Sequence, residues 1–457
     1  MTALELQQPT DPAGAPPGTG LTGLLRRRPT LLAALACLAS FTAFWTAQRL
    51  AHVTMIDLMV YRAEGLTVRA GGSLYDMVAT SAHLPNTYPP FAALLFTPLT
   101  LLDVPAMRTL ATAGNLLLLV AVVHLSLRLA GRPRRLPRPA AALALSAVLV
   151  WCEPVWTTLR YGQINLLLTA LVLWDLTRRD GHRLAGVGIG LAAGLKLTPA
   201  LFAVFLALAG AVRAGRLLRS GAGPRAAWNP WLRQAAVATA TFLATVLLSA
   251  LVLPRDAHRF WTGVVFAADR VGEVEITANQ SLRGVLARLL HTHDPGAAWA
   301  VAAGLTAAAG LALAVAALLR GERAWATVAC AATALLISPI SWSHHWVWCV
   351  PMLVLVGSEA LRRTGAAARR RWAVTAALGL LFCSFALWWV PHHWHHHKEL
   401  HQNGGQMLLS AVYPLAGLAV LALTALRLRR TPGSALHEAT DTGPAVLTGK
   451  GGQPPTP

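Results

Sequence analysis

The residues of this chain that could do chemistry are few and fall in short blocks. Asp57 stands in "VTMIDLMVYRAEG" as the first acid after a long apolar run, followed by Tyr61, Arg62 and Glu64. A carboxylate there could take a proton from a hydroxyl, and an ionisable group beside so much apolar chain needs a partner or a use. A solvated acid just beyond a helix is the plain alternative. Gln163 and Asn165 in "YGQIN" offer amides to a hydroxyl-rich ligand, or equally to helix caps and helix–helix bonds. Lys196 in "GLKLTPA" is a cation amid apolar and small residues, so it needs an anion, water or the headgroup level. A phosphate at a broken-helix terminus would satisfy both the lysine and the free N–H groups.

Two further blocks are polar. "FAADRVGEVEITANQSLRGVLARLL" sets Asn279, Gln280, Ser281 and Arg283 ahead of a helical pattern; Ser281 or Asn279 suits a cap, and Arg283 suits a phosphate. "SPISWSHHWVW" places His344 and His345 between Trp342, Trp346 and Trp348. The tryptophans suit a membrane interface, and the histidines could donate to phosphate or stack on a sugar. A second group, "HHWHHHKELH", holds six histidines between 392 and 401, with Glu399 as its acid and no single helical face. Weak adventitious metal affinity is all that pattern offers, and no metal or other cofactor is expected.

The elements that must position these groups are membrane helices. The 457 residues are 55% hydrophobic and 13% charged, against about a quarter charged in soluble domains, and the mean hydropathy is +0.51. Apolar runs recur from residues 30–48 to 407–426, many approaching the roughly 20 residues that cross a bilayer. The expected fold is an all-α polytopic membrane protein. Residues 1–28 and 431–457, rich in Pro, Gly, Thr and Ala, are expected to be flexible cytoplasmic ends around a multi-pass domain over 29–430. The net charge of +20 comes from Arg clusters that punctuate apolar segments, which argues against a nucleic-acid partner and for cytoplasmic flanks facing membrane lipids. Five scattered cysteines lack metal-ligand spacing and suit buried positions. Nucleotide-binding loops, a zinc-protease signature and a nucleophile elbow are all missing, so an enzyme of this kind should use a donor already in the membrane.

Placing every basic cluster in the cytoplasm gives about twelve crossings. Residues 88–105 are then re-entrant or interfacial, and 184–212 form a pair broken near Lys196 and Pro199. External loops fall at about 51–88, where short interfacial helices are expected, and at 255–296. Asp57, Gln163, Asn165, Lys196, His344 and His345 then share the outer face of the cell membrane. A transporter or flippase is compatible with the same arrangement.

"IDLMVYRAEG", "GGSLYD", "YPPFAALLFTPL", "YGQINLLL", "GLKLTPALF", "NQSLRG" and "SPISWSHHWVW" together resemble the polyprenyl-phosphate-mannose-dependent alpha-1,2-mannosyltransferases of actinobacteria, glycosyltransferase family 87, which are of the GT-C type. The resemblance covers about residues 50 to 350. It implies an extracytoplasmic active site, a polyprenyl phosphate mannose donor, a mannosylated glycolipid or glycan acceptor, and inversion to an alpha-1,2 linkage. Family similarity makes Asp57 the candidate general base. Lys196, His344, His345 and Arg283 are then candidates for the donor phosphate, and Tyr61, Arg62, Gln163, Asn165, Asn279 and Gln280 for sugar or acceptor. Transfer of another lipid-linked sugar is the nearest alternative.

Overall fold

A computed structural model of the chain describes residues 28–132, 136–392 and 397–430. The expected flexible ends, apart from Arg28, lie outside the described residues, as do His393, His395 and His396.

Helix α1 (Pro29–Leu50) opens on a proline, whose missing N–H costs nothing at a helix start. In α2 (Ile56–Arg69) Leu58, Tyr61, Glu64 and Gly65 are buried while Leu66 and Arg69 are exposed, an amphipathic pattern. A short antiparallel ribbon pairs Val78–Ala79 with Leu84–Pro85, and α3 (Pro90–Phe96) runs into a 3-10 turn at Thr97–Leu101. Asp103 caps α4 (Val104–Leu129) by accepting from Ala106 N–H. The chain continues through α5 (Arg138–Leu149), α6 (Glu153–Tyr161), α7 (Asn165–Leu176), α8 (Val187–Leu195) and α9 (Ala200–Arg219). One helical turn (Pro224–Ala227) precedes α10 (Pro230–Val252), α11 (Pro254–Thr262), α12 (Leu282–Leu289), α13 (Gly296–Leu319) and α14 (Arg323–Ile337). After a 3-10 helix at Ser343–Trp348 come α15 (Cys349–Ala360), α16 (Gly365–Cys383), α17 (Gly404–Leu409) and α18 (Val412–Arg430). Helix α14 is buried from Trp325 through Leu336. Outward Leu243, Leu247 and Leu251 on α10 and Val301 and Leu305 on α13 give faces suited to lipid.

The expectation of about twelve crossings is corrected here. Among the described residues six helices are long and apolar enough to cross a membrane: α1, α4, α9, α10, α13 and α18, with α5 and α6 a seventh if that pair, bent by 82°, is one span. Apolar runs counted as crossings are divided in space. The 140–158 run breaks at Cys152, which is extended, before Pro154 in the first turn of α6. The 346–360 run starts in the 3-10 helix and leaves the 12-residue α15, about 18 Å long at 1.5 Å per residue, against a hydrocarbon core of about 30 Å. Residues 88–105 form the short α3 and its 3-10 turn, and the 184–212 run does break between Leu195 and Ala200.

Arginines from distant loops meet at one end of the bundle. Arg362 donates to Ala130 O (2.9 Å), Arg320 to Leu428 O (3.0 Å) and Arg323 to Asp180 (2.6 Å). Arg427 pairs with Glu322 (2.8 Å) and Glu359 (3.0 Å), and Arg233 reaches Gly181 O. At the other ends of the helices that these loops enter or leave, Asn165 opens α7, Lys196 follows α8 and His345 lies beyond α14.

Candidate active site

The site is assembled from helix ends. Met55, at the N-terminus of α2, is left-handed (φ +51°), and the α2 start lies against the turn after α6. That turn needs Gly162: its φ is +70°, and a Cβ there would come 2.7 Å from Leu58 Cβ. The close approach brings Gln163 onto Asp57, whose Oδ2 accepts from Gln163 Nε2 at 2.7 Å. Asp57 is in the first turn of α2, where the helix dipole favours an anion. It is half-buried, and burial pushes its carboxyl up to about 6, with the Gln163 hydrogen bond and the Lys196 charge opposing.

One turn along the same face, the buried Tyr61 donates to Gln163 Oε1 (2.7 Å) and its ring stacks on Phe96 (4.3 Å). Tyr88 donates to the same Oε1 (3.1 Å), and its hydroxyl is 2.9 Å from that of Tyr61. Tyr88 in turn adjoins Lys196, whose Nζ is 3.5 Å from Tyr88 Oη and 5.3 Å from the ring centre.

Lys196 ends α8, and it is held there by small residues. A Cβ on Gly190 would lie 2.5 Å from Ala238 O and 2.5 Å from Thr241 Cβ, so α8 packs backbone against α10. Beyond the break, Nζ is 2.8 Å from His345 Nε2 and 3.5 Å from Asn165 Oδ1. Burial holds the lysine down at about 8, with Asp57 opposing. His345 Nδ1 accepts the Trp342 N–H (3.2 Å), so a neutral ring carries its proton on Nε2, toward the ammonium. Two donors therefore face one another. Burial and the Lys196 charge keep both His344 and His345 well below the ordinary histidine range. Thr158 and Asn165 donate to the His344 carbonyl (2.9 and 3.0 Å), while His344 Nε2 is buried without a partner.

A cleft of about 520 Å³ opens from Lys196, Asn165 and His345 along the apolar Leu168, Val172, Phe202, Leu335 and Trp348. A second cleft, about 480 Å³, lies among Arg178, Arg179, Arg233 and Arg323 at the basic end and contains none of these groups.

Asp57, Tyr61, Gln163, Asn165, Lys196, His344 and His345 are thus gathered at one place. Four expected residues are engaged elsewhere. Arg62 reaches Leu102 O at 3.5 Å, and Arg283 reaches Asp294 (3.5 Å) with its guanidinium 5.0 Å from the Trp299 ring. Asn279 donates to Val274 O (2.8 Å) and accepts from Ser341 N–H (3.0 Å). Gln280 donates to Ser410 O and Thr277 O (2.7 Å each), and its carbonyl accepts from Trp346 Nε1 (3.1 Å). Asn279 and Gln280 fasten the histidine segment from behind, and Ser281 caps α12 through Gly284 N–H (3.2 Å). Two residues, Tyr88 and Glu64, are given no role by the sequence. Tyr88 lies in the quoted "YPPF" block, where its hydroxyl was the available signal. Glu64 is fully buried with neither oxygen hydrogen-bonded, and burial raises it to about 8.

Residues 86–339 match the profile described as Glycosyltransferase family 87. Asp57, Tyr61, Arg62, His344 and His345 fall outside that stretch. A Mycobacterium tuberculosis (strain CDC 1551 / Oshkosh) protein described as polyprenol-phosphate-mannose-dependent alpha-(1-2)-phosphatidylinositol pentamannoside mannosyltransferase is 35% identical over 362 residues, 77% of this chain and 79% of that protein. One from Mycobacterium tuberculosis (strain ATCC 25618 / H37Rv), described as polyprenol-phosphate-mannose-dependent alpha-(1-2)-phosphatidylinositol mannoside mannosyltransferase, is 31% identical over 417 residues, 86% of this chain and 90% of that protein. The crystal structure of ArnT from Cupriavidus metallidurans bound to undecaprenyl phosphate covers 90% of this chain and 78% of its own at 13% identity, with a TM-score of 0.38. That likeness is too low to carry an argument.

Proposed function

The chain belongs to glycosyltransferase family 87, and from that premise we propose that this multi-pass membrane glycosyltransferase moves mannose from polyprenyl phosphate mannose to a hydroxyl of a mannosylated glycolipid, inverting the anomeric carbon to form an alpha-1,2 linkage. The names of both mycobacterial relatives carry such a donor and such a linkage. The active site faces the extracytoplasmic side in this reading, which the gathering of arginines at the other end supports.

The observation that carries the proposal is the continuous chain Asp57–Gln163–Tyr88–Lys196–His345. It sets a carboxylate at one end and the Lys196 ammonium beside His345 toward the other, where Lys196 and His345 line a cleft with apolar walls. The acceptor oxygen forms its bond to the anomeric carbon while the bond from that carbon to the phosphate oxygen breaks. The acceptor proton passes to Asp57, and the bonding pair leaves on the lipid phosphate. A carboxyl near 6 is ionised at neutral pH and suits the base. The leaving group is already an anion and needs charge stabilisation. Lys196 and His345 suit that task, because a phosphate oxygen bridging the two from the side would accept from both donors that otherwise oppose one another. Gln163 orients Asp57, and Tyr61 and Asn165 are available to hydroxyls. Arg62, Arg283, Asn279 and Gln280 are left out of this assignment because their side chains are engaged as described.

The test uses purified protein, a short-chain polyprenyl phosphomannose and a mannoside acceptor. Asp57→Asn is expected to lower kcat by about 10²–10⁴-fold with donor binding retained. Unchanged turnover removes Asp57 from the base role. Inactivity of the native protein with mannose, alongside activity with another lipid-linked sugar, overturns the sugar assignment alone.

A further inference from the structure

Away from the site, three groups from distant parts of the chain converge without a role in the proposed reaction. Glu275 Oε1 lies 2.9 Å from His293 Nδ1 and 2.8 Å from His397 Nδ1. The two imidazole rings are 4.4 Å apart between centres, and one ligand atom from each of the three residues lies within 4.8 Å of the others. The Glu275 side chain is 2% exposed, while those of His293 and His397 are 60% and 46% exposed. A buried carboxylate thus forms a floor under two imidazoles that face solvent.

We propose that Glu275, His293 and His397 bind a divalent transition-metal ion, zinc by its ligand set, which staples the loops on either side of α12 to the chain leading into α17. Two imidazole nitrogens and one carboxylate oxygen are a recurrent zinc set, with an outward position left for water. Ligand–metal bonds of about 2.0–2.1 Å at tetrahedral angles need ligand atoms about 3.3 Å apart, so the two closer edges open by about half an ångström. The surroundings are built to hold that geometry. Arg288 is buried beneath and donates to the carbonyls of Glu275 (3.1 Å), Ile276 (3.0 Å) and Ser410 (2.9 Å). His291 Nδ1 contacts Leu400 O beside it. The two segments are therefore already docked, and an ion would lock a preformed junction.

The experiment uses full-length protein without a polyhistidine tag, stripped with chelator in detergent and titrated with zinc chloride by calorimetry, with thermal midpoints measured alongside. One zinc per chain is expected, with a midpoint that rises with zinc concentration. His293→Ala, at an exposed position, and Glu275→Gln, which keeps the side-chain volume, should each weaken binding about tenfold or more. A third variant replaces His393, His395 and His396 with alanine and should retain a zinc. If that variant loses zinc while His293→Ala and Glu275→Gln keep it, the histidine run is an adventitious binder and the proposal is overturned. Absence of stoichiometric binding overturns it as well.

Discussion

Asp57 and Lys196 are held by opposing forces that make their protonation states sensitive near neutrality. Burial raises the carboxyl to about 6 and lowers the ammonium to about 8. In the proposed reaction Asp57 accepts a proton only when ionised, so kcat/KM should fall as pH drops through about 6. In the same proposal Lys196 holds the phosphate only when charged, so kcat/KM should fall again as pH rises through about 8. Lys196→Arg keeps a charge throughout this range, and the alkaline limb should disappear while the acid limb stays. A limb near 8 that persists in Lys196→Arg, read from kcat/KM against pH, assigns it to another group. The residue types in these roles were legible in the sequence because Asp57 and Lys196 are charges in apolar surroundings. Their connection was not. Gln163 looked as much like a helix cap as a ligand, and only the fold shows it bonded to a carboxylate 106 residues earlier.

At the scale of elements, the site depends on how closely α8 lies against α10, because that packing fixes where Lys196 leaves the helix. Gly190→Val puts a branched side chain where a single Cβ already meets the Ala238 carbonyl. The expected cost is about 1–3 kcal/mol or more, seen as a lower thermal midpoint together with a raised donor KM. Gly114→Ala, in α4 with nothing within 4 Å of its Cβ, should leave both unchanged or raise the midpoint slightly. Equal behaviour of the two variants would remove the packing argument. The break after Lys196 was visible in "LKLTP", where Pro199 disfavours a continuing helix. The 82° bend between α5 and α6 was missed although Glu153 and Pro154 stand in that run. Hydropathy does not register direction, and besides Thr157 in the same helix (2.8 Å) the groups that satisfy Glu153 come from elsewhere: Ser343 (2.8 Å), Trp388 (3.1 Å) and Tyr413 (2.8 Å). The same limit hid Glu275 from the second histidine group, where Glu399 was the acid nearest in sequence.

For the whole molecule, membrane residence and the helical class follow from composition, whereas the crossing number does not, since an apolar run can turn back or lie short. Sidedness is read directly by cysteine labelling. The native cysteines are buried except for the half-buried Cys383, which gives a quiet background for labelling. Ala82, beside the ribbon, and Ser220, after α9 at the arginine-rich end, are both exposed. In intact bacterial cells a membrane-impermeant maleimide should label Ala82→Cys, and Ser220→Cys only after permeabilisation; the reverse pattern places the active site in the cytoplasm. Turnover also includes the traffic of the carrier lipid, and here the facing Lys196 and His345 have a consequence beyond transfer itself. In the proposed reaction the donor is a phosphodiester with a single negative charge, while the carrier left behind is a monoester of about −1.5 to −2. In that reaction a pocket that attracts anions grips its spent carrier more firmly than the incoming one, so free polyprenyl phosphate is expected to inhibit by competing with the donor, as initial rates at rising carrier concentration would read.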